Sequence, residues 1–187
     1  ESDGSGQVDA ERTAVVTGRE RHNAISREGN LPYPMRAIRT RDFLYIHNFE
    51  PDRWPVGDPR GLDDPNAEAP SWESLVASSR PAYTDMDGGP TKAWMIHHRA
   101  DEEVQALFDI GFGKRPREEL YDLRVDPDYM KNVATNPEYE QVCKDLKNEL
   151  MGLLRENDDP RMVESPCRFE YAPYAGPLAG DDLREET

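Results

Sequence analysis

The sequence has no apolar run close to the roughly 20 residues that a membrane-spanning helix needs, so a helical membrane protein is excluded. Apolar residues make up 36% of the chain and charged residues 33%, which allows a packed core only where apolar residues cluster. A signal peptide and an initiator Met are also absent, and residues 1–11 have the composition of a flexible start. We therefore expect a mature product or a piece of a longer chain.

The sequence also has only two cysteines, and it lacks the common hydrolase motifs. Cys143 and Cys167 have no CxxC or Cys/His metal spacing, so a disulfide between them and two free thiols both remain possible. There is no G-x-S-x-G elbow, no phosphate-binding glycine loop and no H-E-x-x-H. His97 and His98 are adjacent and would point about 100° apart on a helix, which favours a structural pair over a metal site.

The net charge of −15 excludes nucleic acid and acidic membranes as partners for most of the surface. Residues 12–41 differ, because they hold seven arginines and two glutamates. Such a basic segment in an acidic protein can face an anionic ligand. Alternatively, its arginines are solvated or ion-paired positions of strands.

The hydrophobic pattern predicts an α+β fold with a small antiparallel sheet of about four strands and helices packed on it. A first strand is expected at residues 12–17, ending at Gly18. Residues 35–49 predict a hairpin whose second arm is apolar on both faces, and that arm should therefore be an inner strand or a strand covered by helices. The short alternating stretch EELYDLR, stopped by DPD, predicts the last strand.

Helices are predicted around this sheet. Residues 51–90 form a long loop rich in Asp, Pro and Gly, with one short helix starting near Ser71. Two helices should follow up to Gly111 and Gly113. The last and clearest helix should begin at Asn136, with Pro137 in its first turn and an apolar stripe that includes Leu146 and Leu150.

The C-terminal half carries a family resemblance. The stretch from Arg115 to Met162 resembles the C-terminal region of sulfatases, in which a Leu-Tyr-Asp-Leu strand leads through Asp-Pro and Asn-Val into a closing helix that ends near Asp-Pro-Arg. The upstream stretches TGRERH and YPMRAIRTRDFLYIHNFEPDRWPVGDP look like the heparan N-sulfatase branch. The likeness covers residues 12–162, and residues 163–187 are expected to form an extended tail.

The resemblance implies the C-terminal subdomain of an alkaline-phosphatase-like sulfatase fold. Sulfatases hydrolyse sulfate esters or N-sulfates with a formylglycine, made from Cys or Ser in a Cys/Ser-x-Pro-x-Arg motif, and with Ca²⁺. Neither cysteine of this chain is followed by that motif. We therefore expect no catalytic residue, metal or cofactor in this chain, inactivity of the chain alone, and an N-terminal catalytic sulfatase domain as its partner.

Three residues at the end of the first predicted strand are candidates for substrate binding. By the resemblance, His22 lies near a bound sulfated sugar, with Arg19 and Arg21 beside it; otherwise, His22 is an ordinary loop histidine. Family habit places such enzymes in the periplasm, in the lysosome or outside the cell. The alternatives are a non-catalytic module that binds an anionic glycan or assembles with a protein, and the C-terminal part of a phosphoester or phosphonate hydrolase.

Overall fold

The computed structural model describes residues 11–23 and 25–171, so residues 1–10 of the predicted flexible start and 172–187 of the predicted tail lie outside it. Its sheet has four antiparallel strands in the order β1-β2-β3-β4, which confirms the predicted α+β architecture. The hairpin is confirmed, and its second arm is an inner strand as predicted. The strands are β1 Ala14–Arg19, β2 Met35–Thr40, β3 Phe43–Asn48 and β4 Glu118–Asp122.

Five α-helices lie in the described part of the chain: α1 Trp72–Ala77, α2 Pro90–His97, α3 Glu102–Phe112, α4 Glu140–Glu156 and α5 Pro160–Val163. Single 3₁₀ turns occur at Glu28–Asn30, Pro137–Tyr139 and Arg168–Glu170. The predicted short helix in the long loop is α1, and the Ser71 hydroxyl caps it by accepting from the Ser74 amide at 3.3 Å.

Two apolar cores organise these elements. The first lies between the sheet and α4, where Ile38, Tyr45 and Leu120 meet Leu146 and Leu150. The second joins the long loop to the helices that follow it, through Leu62, Leu75, Tyr83, Ala93, Ile96 and Phe112. Because the long loop shares this core with α1–α3, its backbone is held in place without strands of its own.

The first strand departs from its prediction, since it begins two residues later and continues through Gly18 to Arg19. Gly18 pairs with Arg36 of β2, and a Cβ atom at Gly18 would lie 2.6 Å from Cδ of Arg36. The glycine therefore allows a close approach of the arginine side chain within the sheet, and it does not end the strand.

The last helix has the predicted capping residue, Asn136, but its first turn differs from the prediction. The Asn136 side chain accepts from the Glu138 amide at 3.1 Å, but residues 137–139 form a 3₁₀ turn and α4 begins at Glu140. The predicted stripe is confirmed by the burial of Leu146, Leu150 and Leu154. In α3, Gly111 lies inside the helix, and Gly113 ends it.

The alternatives for the cysteines are resolved in favour of two thiols. Cys143 and Cys167 are both free and buried. Cys143 is part of the first core, and burial raises the pKa of its thiol. Within residues 11–23 and 25–171, the helices include none with the length and apolar character to cross a membrane.

Candidate functional site

The end of β1 carries the candidate site. Directly after Arg19 the chain leaves the sheet, and 56% of the His22 side chain is exposed to solvent. Its Nδ1 atom lies 3.7 Å from Oδ1 of Asp85, which is too long for a hydrogen bond but close enough for electrostatic attraction. The imidazole is therefore accessible to a ligand and has a carboxylate behind it, an arrangement that suits an anion or a hydroxyl group.

The carboxylate behind His22 belongs to a buried cluster. Asp85 and Arg27 have 1% and 2% of their side chains exposed, and the Arg27 Nη2 atom donates to Asp85 Oδ2 at 2.7 Å. The Ser26 hydroxyl donates to the other carboxylate oxygen. Arg27 also donates to the carbonyl oxygens of Trp54 at 2.6 Å and Pro55 at 2.9 Å. Burial lowers the pKa of Arg27, but these acceptors surround its guanidinium and offset the cost of removing it from water.

The loop that carries Asp85 is fixed from a second side. The ammonium group of Lys92, on α2, donates to the carbonyl oxygens of Ser79 at 3.1 Å, Tyr83 at 3.1 Å and Met86 at 2.9 Å. Gly57 has φ +96°, and a Cβ atom there would lie 2.7 Å from the Thr84 amide nitrogen. The carboxylate is therefore held rigidly behind His22 by α2 and by the neighbouring loop.

Arg19 and Arg21, the other two predicted substrate-binding residues, lie beside His22 in the chain but make internal contacts. Arg19 Nη2 donates to the Pro55 carbonyl at 2.7 Å. Arg21 donates to the carbonyl oxygens of Asn30 at 2.8 Å and Phe169 at 2.7 Å. Both side chains are partly buried and brace the loop, so among the three predicted residues His22 is the most exposed. A direct contact of either arginine with substrate stays a prediction.

Two arginines of the basic segment, Arg27 and Arg36, form ion pairs. Arg36 donates to Asp159 at 2.7 Å and to Glu20 at 2.8 Å, and it is 7% exposed. Arg161 binds Glu20 as well, at 2.6 Å. This network joins β2 and the end of β1 to the start of α5, and it pairs the charge of Arg36 inside the protein. Of the two explanations offered for these arginines, the ion-paired one describes Arg27 and Arg36.

Three members of the site could not be found from the sequence. Ser26, Arg27 and Asp85 form the buried cluster, yet Arg27 and Asp85 are 58 residues apart in the chain and match no motif. Asp85 stands in a loop with many other acidic residues, and nothing in its neighbours distinguishes it. The proximity of two residues so far apart in the chain is known only from the folded structure.

Sulfate hydrolysis by a sulfatase would need a metal site and a formylglycine. In residues 11–23 and 25–171, no group of three or more His, Cys, Asp or Glu side chains is placed to hold a metal ion. Cys143 lies in the first core and Cys167 is buried before the last 3₁₀ turn. The donors present do not fit the calcium site or the formylglycine of a sulfatase, so no catalytic step is assigned to them.

Comparison with known proteins finds two sulfatases to which the chain is similar. No protein-family model matches the chain. The chain is 27% identical over 135 residues to an ulvan-active sulfatase of Formosa agariphila, a match that covers 70% of this chain and 18% of that protein. It is 26% identical over 147 residues to N-sulphoglucosamine sulphohydrolase of Homo sapiens, covering 79% of this chain and 24% of the relative. The chain is similar to sulfatases. The resemblance predicted from its sequence motifs is thereby confirmed, and the chain spans about a quarter or less of the length of these two relatives.

Proposed function

We propose that this chain is the C-terminal part of a sulfatase that removes sulfate ester or N-sulfate groups from a sulfated glycan. The proposal is supported by the similarity to two sulfatases over 70–79% of the chain, together with the exposed imidazole of His22 above the buried Arg27–Asp85 pair. In this function His22 contacts the sulfated sugar at the rim of the substrate pocket. The nucleophile, a formylglycine, and Ca²⁺ belong to the N-terminal catalytic domain.

Two features suit His22 to this task. More than half of the side chain is exposed, at 56%, and the two ring nitrogens of an imidazole can form hydrogen bonds with the oxygens of a ligand. The acidic exterior of the chain repels a polyanionic glycan elsewhere, so attraction is confined to the pocket. Arg19 and Arg21 stabilise the loop by donating to backbone carbonyl oxygens. Their contact with the substrate is part of the proposal.

The contact surface for the N-terminal domain is proposed on the sheet face opposite α4. Alternation along the strands puts Val15, Leu44 and Tyr121 in one row across that face, through the pairs Val15–Arg39, Arg39–Leu44 and Leu44–Tyr121. Val15 is 49% exposed on an edge strand, and Leu44 and Tyr121 are half-buried. The row also contains the exposed Arg39, and its three apolar or aromatic side chains are covered when a further layer of protein packs on this face.

The test of the proposed function is the His22→Ala variant of the complete protein. Loss of a charge-assisted hydrogen bond to a sulfated substrate should lower kcat/KM about ten- to a hundred-fold, while the melting temperature stays unchanged because the side chain is exposed. The measurement is sulfate release from a sulfated monosaccharide such as N-sulfoglucosamine.

His98 offers a matched control. It is 42% exposed and paired with Asp101 at 2.6 Å, far from His22 in the chain, so His98→Ala should leave kcat/KM as it is. Equal activity of the His22→Ala variant and the wild-type protein would remove His22 from the pocket. An absence of sulfate release by the complete wild-type protein with any sulfated sugar would contradict the sulfatase function itself.

A further inference from the structure

A cavity of about 370 Å³ lies between the loop that follows β3 and helix α3. Its size falls within the range of roughly 300–1,000 Å³ that is usual for small-ligand sites. Three aromatic rings line it: Trp54, Tyr83 and Phe108. Tyr83 is 1% exposed and meets the other two edge-on, at centroid distances of 6.2 Å to Trp54 and 6.1 Å to Phe108. The cavity therefore has a rigid aromatic wall within the second core.

The polar groups of this cavity balance each other in charge. Asp63 and Asp109 contribute two carboxylates, Arg99 and Lys114 contribute two cations, and Gln105 adds an amide that both donates and accepts. An anionic ligand would meet two carboxylates and a cationic ligand would meet two cations. Donors and acceptors are both present beside an aromatic wall, a combination that suits an uncharged molecule with many hydroxyl groups.

One buried donor of Arg99, a residue that lines this cavity, lacks an acceptor. The residue is 7% exposed, and its Nη1 atom donates to the Ile96 carbonyl at 2.9 Å. Its Nε atom is buried and has no hydrogen-bond partner among the residues that the structure describes. A buried N–H group without an acceptor costs about 1–3 kcal/mol.

The backbone at Tyr83 is held in an unusual conformation at this wall. Tyr83 has φ +48°, which a residue with a bulky side chain rarely adopts. Its carbonyl oxygen accepts from Lys92, and its amide donates to the Asp58 carbonyl at 2.9 Å. The surrounding contacts thus keep the ring in the cavity wall against the preference of the backbone, which is a common feature of binding sites.

We propose that this cavity binds an uncharged pyranose ring, as a saccharide subsite separate from His22. The apolar face of the ring packs against the aromatic wall, and its hydroxyl groups bind Gln105, Asp109 and Asp63. Lys114, whose ammonium lies 5.1 Å from the centroid of the Trp54 ring, closes the mouth and donates to a hydroxyl. The inference rests on the cavity lining, so it does not depend on the sulfatase function.

The position of this subsite fits a glycan longer than one residue. Tyr83 lines the cavity and Asp85 stands behind His22, and the two residues belong to the same short loop. One loop therefore carries a side chain of each site. A chain that places a sulfated residue at His22 would have a neighbouring, unsulfated residue available for the cavity.

The test is a titration of the complete protein with three neutral sugars: methyl β-glucopyranoside, methyl β-galactopyranoside and N-acetylglucosamine. Saturation-transfer NMR should detect at least one of them, with a Kd on the order of 1 mM. The Gln105→Ala and Asp109→Ala variants should each weaken binding about five-fold, since one hydrogen bond is lost in each. Both residues are exposed on α3, so the fold should be unaffected.

Two controls separate this subsite from other sites. Gln141→Ala, an exposed glutamine on α4, should leave the Kd unchanged. The same titration in the His22→Ala background should also leave it unchanged, so failure of the sulfatase function and failure of this subsite are distinguishable. The proposal is overturned if no neutral sugar binds, if Gln105→Ala and Asp109→Ala bind as tightly as the wild-type protein, or if inorganic sulfate competes for the cavity.

Discussion

Asp122, at the end of β4, binds both Arg124 in the following turn and Tyr139 in the turn before α4 with one carboxylate. Arg124 donates to both of its oxygens, at 2.8 Å and 2.6 Å, and the Tyr139 hydroxyl donates to it at 3.0 Å. The guanidinium of Arg124 is the main reason why the pKa of Asp122 falls to about 2. Tyr139 also packs edge-on against Phe43, so the carboxylate links the sheet to the turn before α4.

The lowered pKa of Asp122 predicts that the free energy of unfolding decreases at acid pH. A carboxylate with a lowered pKa stabilises the fold above its unfolded-state pKa, near 4, and this stabilisation is lost as the pH falls to about 2. Asp122→Asn should cost about 1 kcal/mol of unfolding free energy at pH 7, an amount reduced by solvent screening at the half-exposed Arg124. Urea unfolding should show that the cost disappears near pH 2. An equal cost at both pH values would contradict the ion pair as its source, and Asp145→Asn on α4 serves as the control.

At the scale of single elements, strand β1 depends on contacts that its own residues do not suggest. Four of its six residues are exposed, yet it forms an edge of the sheet because β2 pairs with all of it. Arg36, which is fixed by Asp159 and Glu20, lies against Gly18, the last residue but one of the strand. The position of the strand end, and with it the loop of His22, follows from this packing.

Gly18→Ala tests this dependence. The added Cβ would lie 2.6 Å from Arg36 Cδ, and Arg36 cannot move away without weakening its two ion pairs, so we expect a loss of about 1–2 kcal/mol in unfolding free energy. Gly111→Ala is the matched control, because α3 has nothing within 4 Å of the new Cβ. In a helix that substitution should stabilise by about 0.5–1 kcal/mol. In thermal unfolding, the melting temperature should fall for Gly18→Ala and rise for Gly111→Ala. An unchanged melting temperature of Gly18→Ala would show that the close approach is not needed for stability.

At the scale of the whole molecule, the sheet has unlike faces. Helix α4 packs on β2 and β3 from one side and completes the first core there. The opposite face carries Val15 and Leu44, and the proposed N-terminal domain would cover it. The loop of His22 begins at the end of β1, so packing of that domain on the sheet would place His22 near the junction.

The isolated 187-residue chain should therefore show no sulfatase activity and should bind a hydrophobic dye such as anilinonaphthalene sulfonate. Val15→Lys should lower the dye fluorescence, because it puts a charge on the exposed row. Val125→Lys provides the control, since Val125 is 75% exposed in the turn after β4. Circular dichroism checks that both variants keep their secondary structure. Dye binding that is absent in the wild-type chain, or equal in both variants, would remove this face from the proposed interface.

Local pattern was sufficient for most of the fold. The hairpin of residues 35–49, the inner position of β3, the cap at Ser71 and the buried stripe of α4 were all predictable, because each depends on side chains close together in the chain. The motifs around Leu120 and Asp159 predicted the similarity to sulfatases, which the two relatives confirm. The boundaries of β1 and α4 were not predictable, since a paired glycine and a 3₁₀ first turn are decided by neighbours.

The sequence by itself therefore determined the α+β class, the order of elements and the family resemblance, and it pointed to His22. Tertiary structure decided what stands behind His22. Asp85 reaches the site from a loop more than 60 residues away, Arg27 is buried against it, and Arg19 and Arg21 bind backbone carbonyl oxygens. The physical reason is that periodicity and capping record short-range preferences, whereas a buried ion pair and an aromatic cavity exist only after distant segments have packed together.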